Sequence, residues 1–466
     1  MKTNYFDRRR FLKWSAASLS ALGLGGMPPF LKRTLALPKI SDKKILFIFL
    51  RGGMDGIQTL IPYGDPGDGP EAPDYMTARP TLREDPADAH PLDDDGFCSL
   101  NPNMHDSSTS TTGPKLLDVF KGEVDERGPN LACVHRVGYA GLNRSHFSGQ
   151  QFWENAVPGD LKLEEGFLNR YLSAYPDEAS PMQAAGLNGN QMVILKGSTL
   201  VPVLRSVDDY ALPSNVQLGT FPTPANPLGT GLKGAYAQAG FDLSTPYEDL
   251  TYTTGTTLLD NLQFFEDNVR SVKYEPEVLA QPYYGAIGNR GFASFVQDSA
   301  RLLKQVDSLQ IIGCNQGNYD THGAEDRNFP TLVRDLSLAL TALYHDLKPI
   351  WDRVLVFTLS EFGRTTLENG NRGTDHAEAV CQFFMGGPVN GGVYNCDETT
   401  WENGAMFSTS NGRYLSHRTD FRQVYAEIIQ NHLGDPGNNI DTIIPNFSTL
   451  AAENQNGYFT PLNILA

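Results

Sequence analysis

Five short apolar runs constrain the fold of this chain more than anything else in it: KKILFIFL (43–50), LACVHRVG (131–138), SLQIIGCN (308–315), DRVLVFTLS (352–360) and VCQFFMGG (380–387). A strand wetted on one face alternates apolar with polar residues. Most of these runs are continuous, which is the pattern of strands covered on both faces in a parallel or mixed sheet. Helical patterns lie between some of them. FPTLVRDLSLALTALYHDLKPIW sets Leu332, Leu336, Leu340, Leu343 and Leu347 on one face, as in a crossover helix packed on a sheet. DFRQVYAEIIQNHLGDPG reads as another helix, opened by Asp420 and ended by Gly434. The class is α/β, with a central, mostly parallel sheet flanked by helices.

With 466 residues, 40% hydrophobic and 20% charged, the chain suits one large or two ordinary domains. Residues 37–466 are expected to form the α/β body. Within it, 158–300 is rich in Pro, Gly and Thr and reads as an insertion or cap over the sheet. The Pro/Gly-rich 62–114 stretch is a long loop of the kind that usually has a job near a site. Net charge is −17, and Lys/Arg clusters are absent after the first forty residues, which argues against nucleic-acid partners. The acidic stretch LREDPADAHPLDDDG lacks EF-hand spacing and reads as a solvated loop. Five cysteines (98, 133, 314, 381, 396) without a Cys-x-x-Cys signal neither a disulfide framework nor a thiolate zinc site. Cys133, Cys314 and Cys381 sit inside the apolar runs and are read as core.

The first residues, DRRRFLKWSAASLSALGLGGMPPFLKRTLALP, read as a twin-arginine export signal over 1–36: Arg8 and Arg9, then Phe11-Leu12-Lys13, a weakly apolar stretch, and Lys32-Arg33 before small residues. The apolar part is too short and too rich in Gly and Ser for a transmembrane helix, which needs about 20 apolar residues. No later segment offers a transmembrane span. The expectation is a bacterial protein handed to the twin-arginine export machinery and delivered to the periplasm or cell surface. That route carries folded proteins, often already holding a cofactor.

Chemistry in open α/β sheets gathers beyond the carboxyl ends of the strands. Asp55 follows the first run in RGGMDG, and Ser145 and His146 follow the second in RSHFSGQQFWE. Asp320 and His322 follow the third in YDTHG, Glu361 and Arg364 follow the fourth in SEFGRT, and Asp375 and His376 precede the last in RGTDHAEA. Each alone has an ordinary reading as a cap or a surface ion pair. Together they form a crowd of oxygen and imidazole donors, which repel one another unless a cation offsets them.

RRRFLK, IFLRGGMDG, RSHFSGQQFWE, YDTHG, SEFGRT, GTDHA and GGPVNGGVY together resemble the exported domain-of-unknown-function family numbered 1501, a member of the alkaline phosphatase superfamily. The resemblance implies an alkaline-phosphatase-like sheet, one or two metal ions, and hydrolysis or transfer of phosphate or sulfate esters. By motif, Asp55 is similar to the aspartate that bridges the metals. Ser145 falls near the nucleophile position, with Ser148 as a rival. Asp320 and His322 resemble the ligand pair of the first metal, and His376 the final metal histidine. Where relatives carry an adjacent Asp-His, this chain has Glu361-Phe362, so the second metal loses an imidazole. Either Asp375 substitutes from the neighbouring loop, or the second site is weak or absent.

The expected function is an exported metal-dependent hydrolase of phosphate or sulfate esters. Asp320, His322 and His376, with Asp55, would hold zinc or manganese; Asp55, Glu361 and Asp375 would suit magnesium or calcium at a second site. Ser145, with His146 beside it, supplies the expected catalytic hydroxyl, and Arg364 and Arg51 the expected clamps on the oxyanion of the substrate. The alternative is a non-catalytic exported binder of surface polysaccharide or a protein partner, on a fold that has lost part of its metal centre. A redox enzyme with an organic cofactor ranks last, because no GxGxxG follows a strand.

Overall fold

A computed structural model describes residues 41–466 apart from 65–73, 106–114, 125, 142, 178–181, 402–405 and 407–412. The export signal expected over 1–36 lies outside the described residues. The main sheet is built from β1 (Lys44–Leu50), β2 (Leu131–Gly138), β3 (Ala184–Leu187), β4 (Val203–Leu204), β5 (Ile311–Gln316), β6 (Val354–Leu359), β7 (Val380–Gly386), β8 (Gly392–Tyr394) and β9 (Thr419–Asp420). Its order is β8-β2-β7-β6-β1-β5-β3-β4, with β9 also paired to β2. β7 runs antiparallel to both its neighbours, β2 and β6, and every other pairing in this sheet is parallel.

The reason the runs are continuous is visible in β1. Leu46, Ile48 and Leu50 enter one hydrophobic core, and Ile45, Phe47 and Phe49 enter a second on the opposite face. The first core is closed by α3 (Arg290–Gln305) and α4 (Glu325–Asp346), the second by α1 (His146–Asn155), α2 (Phe167–Ala174) and α5 (Phe421–Glu427). Leu336, Leu340, Leu343 and Leu347 of the expected helical stripe are buried in the first core, with Leu332 partly buried beside them. Asp420 caps α5 by accepting from the Arg422 N–H at 3.0 Å, and the turn that follows ends at Gly434. All five cysteines are buried as free thiols.

The 158–300 stretch, expected as insertion or cap, contributes β3 and β4 to the edge of the main sheet and α3 to one of its faces. The helices between 231 and 286 lie between those contributions in the chain. The 62–114 stretch forms, with Leu60–Pro62, a small antiparallel sheet together with His90–Pro91 and Cys98–Leu100. No helix among the described residues is long and apolar enough to cross a membrane.

This topology sets one rim. β1, β2, β5 and β6 all run the same way, so the residues after them emerge on the same edge of the sheet. β7 runs against them, so the residues before it, including Asp375 and His376, begin at that edge too.

Candidate functional site

Three loops at the rim are tied together by Arg364, whose side chain is 0% exposed. Its guanidinium donates to the carbonyls of Gly53 at 2.7 Å, Thr374 at 3.0 Å and Tyr319 at 3.0 Å, to that of Gly52, and to Asp320 Oδ1 at 2.7 Å. Gly52 makes this approach possible. Its φ is +120°, and a Cβ there would stand 2.4 Å from the Asp320 amide nitrogen. Arg364, expected to clamp substrate, is therefore spent on backbone and on Asp320. Burial alone would raise the Asp320 pKa, but the Arg364 hydrogen bond and charge, with His376 and His146, hold it at about 2. Arg51 is paired with Glu154 at 2.6 Å.

Around Asp320 stand His146, His322 and His376. Ligand atoms of His146, Asp320 and His376 all lie within 4.8 Å of one another. His322 extends the group: its Nε2 is 2.9 Å from His376 Nε2 and 3.2 Å from Asp320 Oδ1. The other ring nitrogen of each histidine faces an acceptor. His146 Nδ1 lies 2.8 Å from Glu361 Oε1, His322 Nδ1 3.1 Å from Asp375 Oδ1, and His376 Nδ1 2.8 Å from the Arg144 carbonyl oxygen. Those acceptors place a proton on every Nδ1, so in the neutral rings every Nε2 carries a lone pair. The His146 Nε2 is buried with no hydrogen bond, 3.4 Å from Asp320 Oδ2. Burial lowers the His376 pKa, with the Arg364 charge adding to it, while the Glu361 hydrogen bond raises that of His146.

Phe362 forms an apolar wall beside these rings, its centroid 4.8 Å from that of His146 and 4.5 Å from that of His376. The imidazole that stands against Phe362 and Glu361 comes from His146, in the first turn of α1. Glu361 itself sits behind His146, accepting also from Gln150 at 3.0 Å and the Gly52 N–H at 2.9 Å. Asp375 sits behind His322 and accepts from Arg413 at 2.9 Å. Both carboxyls are held below their usual range: burial opposes this, and the histidine hydrogen bonds are the largest opposing cause. The cluster stays open on one side, with the Asp320 and His322 side chains 48% and 46% exposed. Ser145 is exposed next to His146 and caps α1, its hydroxyl oxygen 3.4 Å from the Ser148 N–H.

Asp55 has no hydrogen bond or ion pair with His146, Asp320, His322 or His376. It is fully buried, caps the short helix Gly56–Thr59 by accepting from Gln58 N–H at 2.9 Å, and pairs with Arg79 at 2.8 Å. Burial would raise its pKa, but the Arg79 charge holds it low; Glu325 beside it is pushed well above the carboxylate range by burial and by the Asp55 charge. Thr374 donates to Glu325 at 2.7 Å and links this network to the rim. Arg79 also donates to the Thr365 and Thr366 carbonyls at 2.9 and 3.0 Å. Neither Arg79 nor Glu325 carries a sequence signal of its own.

Residues 294–444 match the model of a family described as "Protein of unknown function (DUF1501)". The match covers Asp320, His322, Glu361, Arg364, Asp375 and His376, and it supports the domain-of-unknown-function family suggested by the motifs. Asp55, Ser145 and His146 lie before it. No curated protein and no solved structure matches the chain.

Proposed function

We propose that the rim cluster is a divalent-metal centre, with His146, Asp320 and His376 as ligands and His322 as a fourth, and that it serves hydrolysis of phosphate or sulfate esters. The observation that carries this is the arrangement of lone pairs. Three imidazoles have their Nδ1 protons fixed by carboxylate or carbonyl acceptors, and an ionised carboxylate stands among the remaining nitrogens. Acceptors that take the Nδ1 proton from behind in this way turn the other ring nitrogen of a histidine toward a metal. Lone pairs as close as those of His322 and His376, beside Asp320, repel unless a proton or cation lies among them. Burial disfavours the proton on His376. Mixed nitrogen and oxygen donors suit zinc or manganese. A second site for magnesium or calcium has less support, because Asp55, Glu361 and Asp375 are already paired with Arg79, His146 and His322.

When bound, such a cation supplies Lewis acidity and a nucleophile available near neutral pH. The chain's own part is to keep Asp320 ionised through Arg364, to orient the imidazoles, and to leave the exposed side open to an ester. Ser145 is the side-chain candidate for nucleophile and water the other; Ser145→Ala abolishes turnover only in the first case. The wider reading, an alkaline-phosphatase-like fold exported by the twin-arginine route to the periplasm or cell surface, is part of this proposal. A non-catalytic binder on the same fold remains the competing reading.

The test is elemental analysis of protein matured in its native host, then a panel of chromogenic phosphate and sulfate esters with and without chelator. The expected result is a stoichiometric metal lost in His322→Ala/His376→Ala, and chelator-sensitive turnover. Absence of a stoichiometric ion sinks the metal centre. Bound metal with no turnover on any ester favours the binder.

A further inference from the structure

An ester hydrolase of this kind needs a group that recognises the oxyanion, and the arginines expected to do so are committed elsewhere. Arg364 is buried among carbonyls, and Arg51 is paired with Glu154. Among the other arginines on the cluster's loops, Arg413 is neutralised by Asp375 at 2.9 Å and Arg372 by Asp326 at 3.2 Å. Arg144 differs. It is exposed, its guanidinium donates to the Tyr414 hydroxyl and lies over the Tyr414 ring at 5.4 Å, and it has no carboxylate partner among the described residues.

Its backbone is tied to the cluster, and its side chain to Tyr414. The Arg144 carbonyl oxygen is 2.8 Å from His376 Nδ1, and the residue stands two before His146 in the loop leading into α1. The chain as a whole carries −17, so an exposed guanidinium without a carboxylate partner among the described residues, set on Tyr414 next to the Arg413 that pairs with Asp375 behind His322, is a local exception to a repulsive surface. The Tyr414 phenol steadies the side chain without cancelling its charge, which lowers the entropy lost when an anion is gripped.

We infer that Arg144, held by Tyr414, is the oxyanion-recognising residue of this site and selects substrates bearing a tetrahedral anion, a phosphate or sulfate ester, over neutral esters. The inference rests on the hydrolase reading above. Substitution at Arg144 removes the guanidinium but keeps the carbonyl that orients His376, so metal loading and anion binding separate.

The experiment titrates inorganic phosphate and inorganic sulfate by calorimetry into the metal-loaded full chain, as wild type, Arg144→Ala, Arg144→Lys and Tyr414→Phe, with metal content measured on each. Wild type is expected to bind at least one anion. Arg144→Ala should bind it about tenfold or more weakly at unchanged metal content, since a charge-assisted hydrogen bond is lost. Arg144→Lys should fall between, and Tyr414→Phe should lose less than Arg144→Ala. Anion affinity in metal-loaded Arg144→Ala equal to wild type overturns the inference and leaves the hydrolase reading standing. A metal-loaded wild type that binds neither anion overturns both, and a protein that loads no metal removes the centre on which both depend.

Discussion

Glu361 offers the sharpest test of how the cluster is held. One oxygen, Oε1, takes the His146 Nδ1 proton at 2.8 Å, the Gln150 amide at 3.0 Å and the Gly52 N–H at 2.9 Å, in a side chain that is 0% exposed. Glu361→Ala removes the acceptor that turns His146 Nε2 toward Asp320. Losing such a partner lowers metal affinity by about 10- to 100-fold, or about 1.4 to 2.7 kcal/mol. Glu361→Gln should do less. Its amide oxygen can stay at the Oε1 position, and its nitrogen falls beside Ser360 Oγ, 3.3 Å from the present Oε2. Orientation then survives while charge is lost, and the expected penalty lies between wild type and the alanine variant. The assay is competition for zinc or cobalt between the full chain and a chromophoric chelator, with melting of the metal-free variants recorded separately. Because Glu361 acts through His146, adding Glu361→Ala to His146→Ala should cost far less than the sum of the two. A metal-loaded Glu361→Ala with wild-type affinity refutes the reasoning.

Arg79→Met strands the buried Asp55 carboxylate and should cost about 3–5 kcal/mol, with part recovered on adding Asp55→Asn, which keeps an acceptor for the Gln58 N–H; urea midpoints read this, and a midpoint equal to wild type contradicts it. Gly52→Ala must hold alanine at φ +120° with its Cβ 2.4 Å from the Asp320 nitrogen, so it should lose more than about 1 kcal/mol and metal affinity together; loss of neither in the same two assays counts against the loop packing. Buried His135 and His432 have pKa values lowered by desolvation to about 3 and about 4, below the unfolded value near 6.5. As pH falls from 6.5 toward 4 the unfolded chain takes up protons that the folded chain refuses, so stability should drop by about 1.4 kcal/mol per pH unit for each histidine. Melting temperatures of the metal-free protein at pH 7 and pH 5 check the sign, and a flat profile argues against it.

How much of this was legible depended on the strength of local signal. β1, β2, β5, β6 and β7 stood out because both their faces are buried, so apolar residues follow one another with few polar interruptions, such as His135 and Arg136 in β2 and Gln382 in β7. β3 reads AAGL and β4 only VL, too small and too short to mark a strand, so their place in the sheet depends on β5 beside them. The strand-end rule located His146, Asp320, His322, Glu361, Asp375 and His376 at one rim, since each lies within a few residues of a sheet strand or of the helix after one. It could not say which carboxylate faces a histidine from behind. That depends on the distance between loops, as with Glu361 and His146, which lie 215 positions apart. Arg79 pairs with Asp55 from just after the short helix Asp74–Ala78, and Arg144 acquires its partner from Tyr414, 270 positions away. Neither pairing has any local pattern to announce it.

Arg364 reaches loops from three strands with one side chain, so freeing any of them would strand its charge and several carbonyls inside the protein. The rim should therefore loosen as a unit, with the amides near Gly53, Tyr319 and Thr374 exchanging their hydrogens at a common rate. A partly assembled cluster would then be scarcely populated, and an incoming ion would meet either the whole coordination set or none of it.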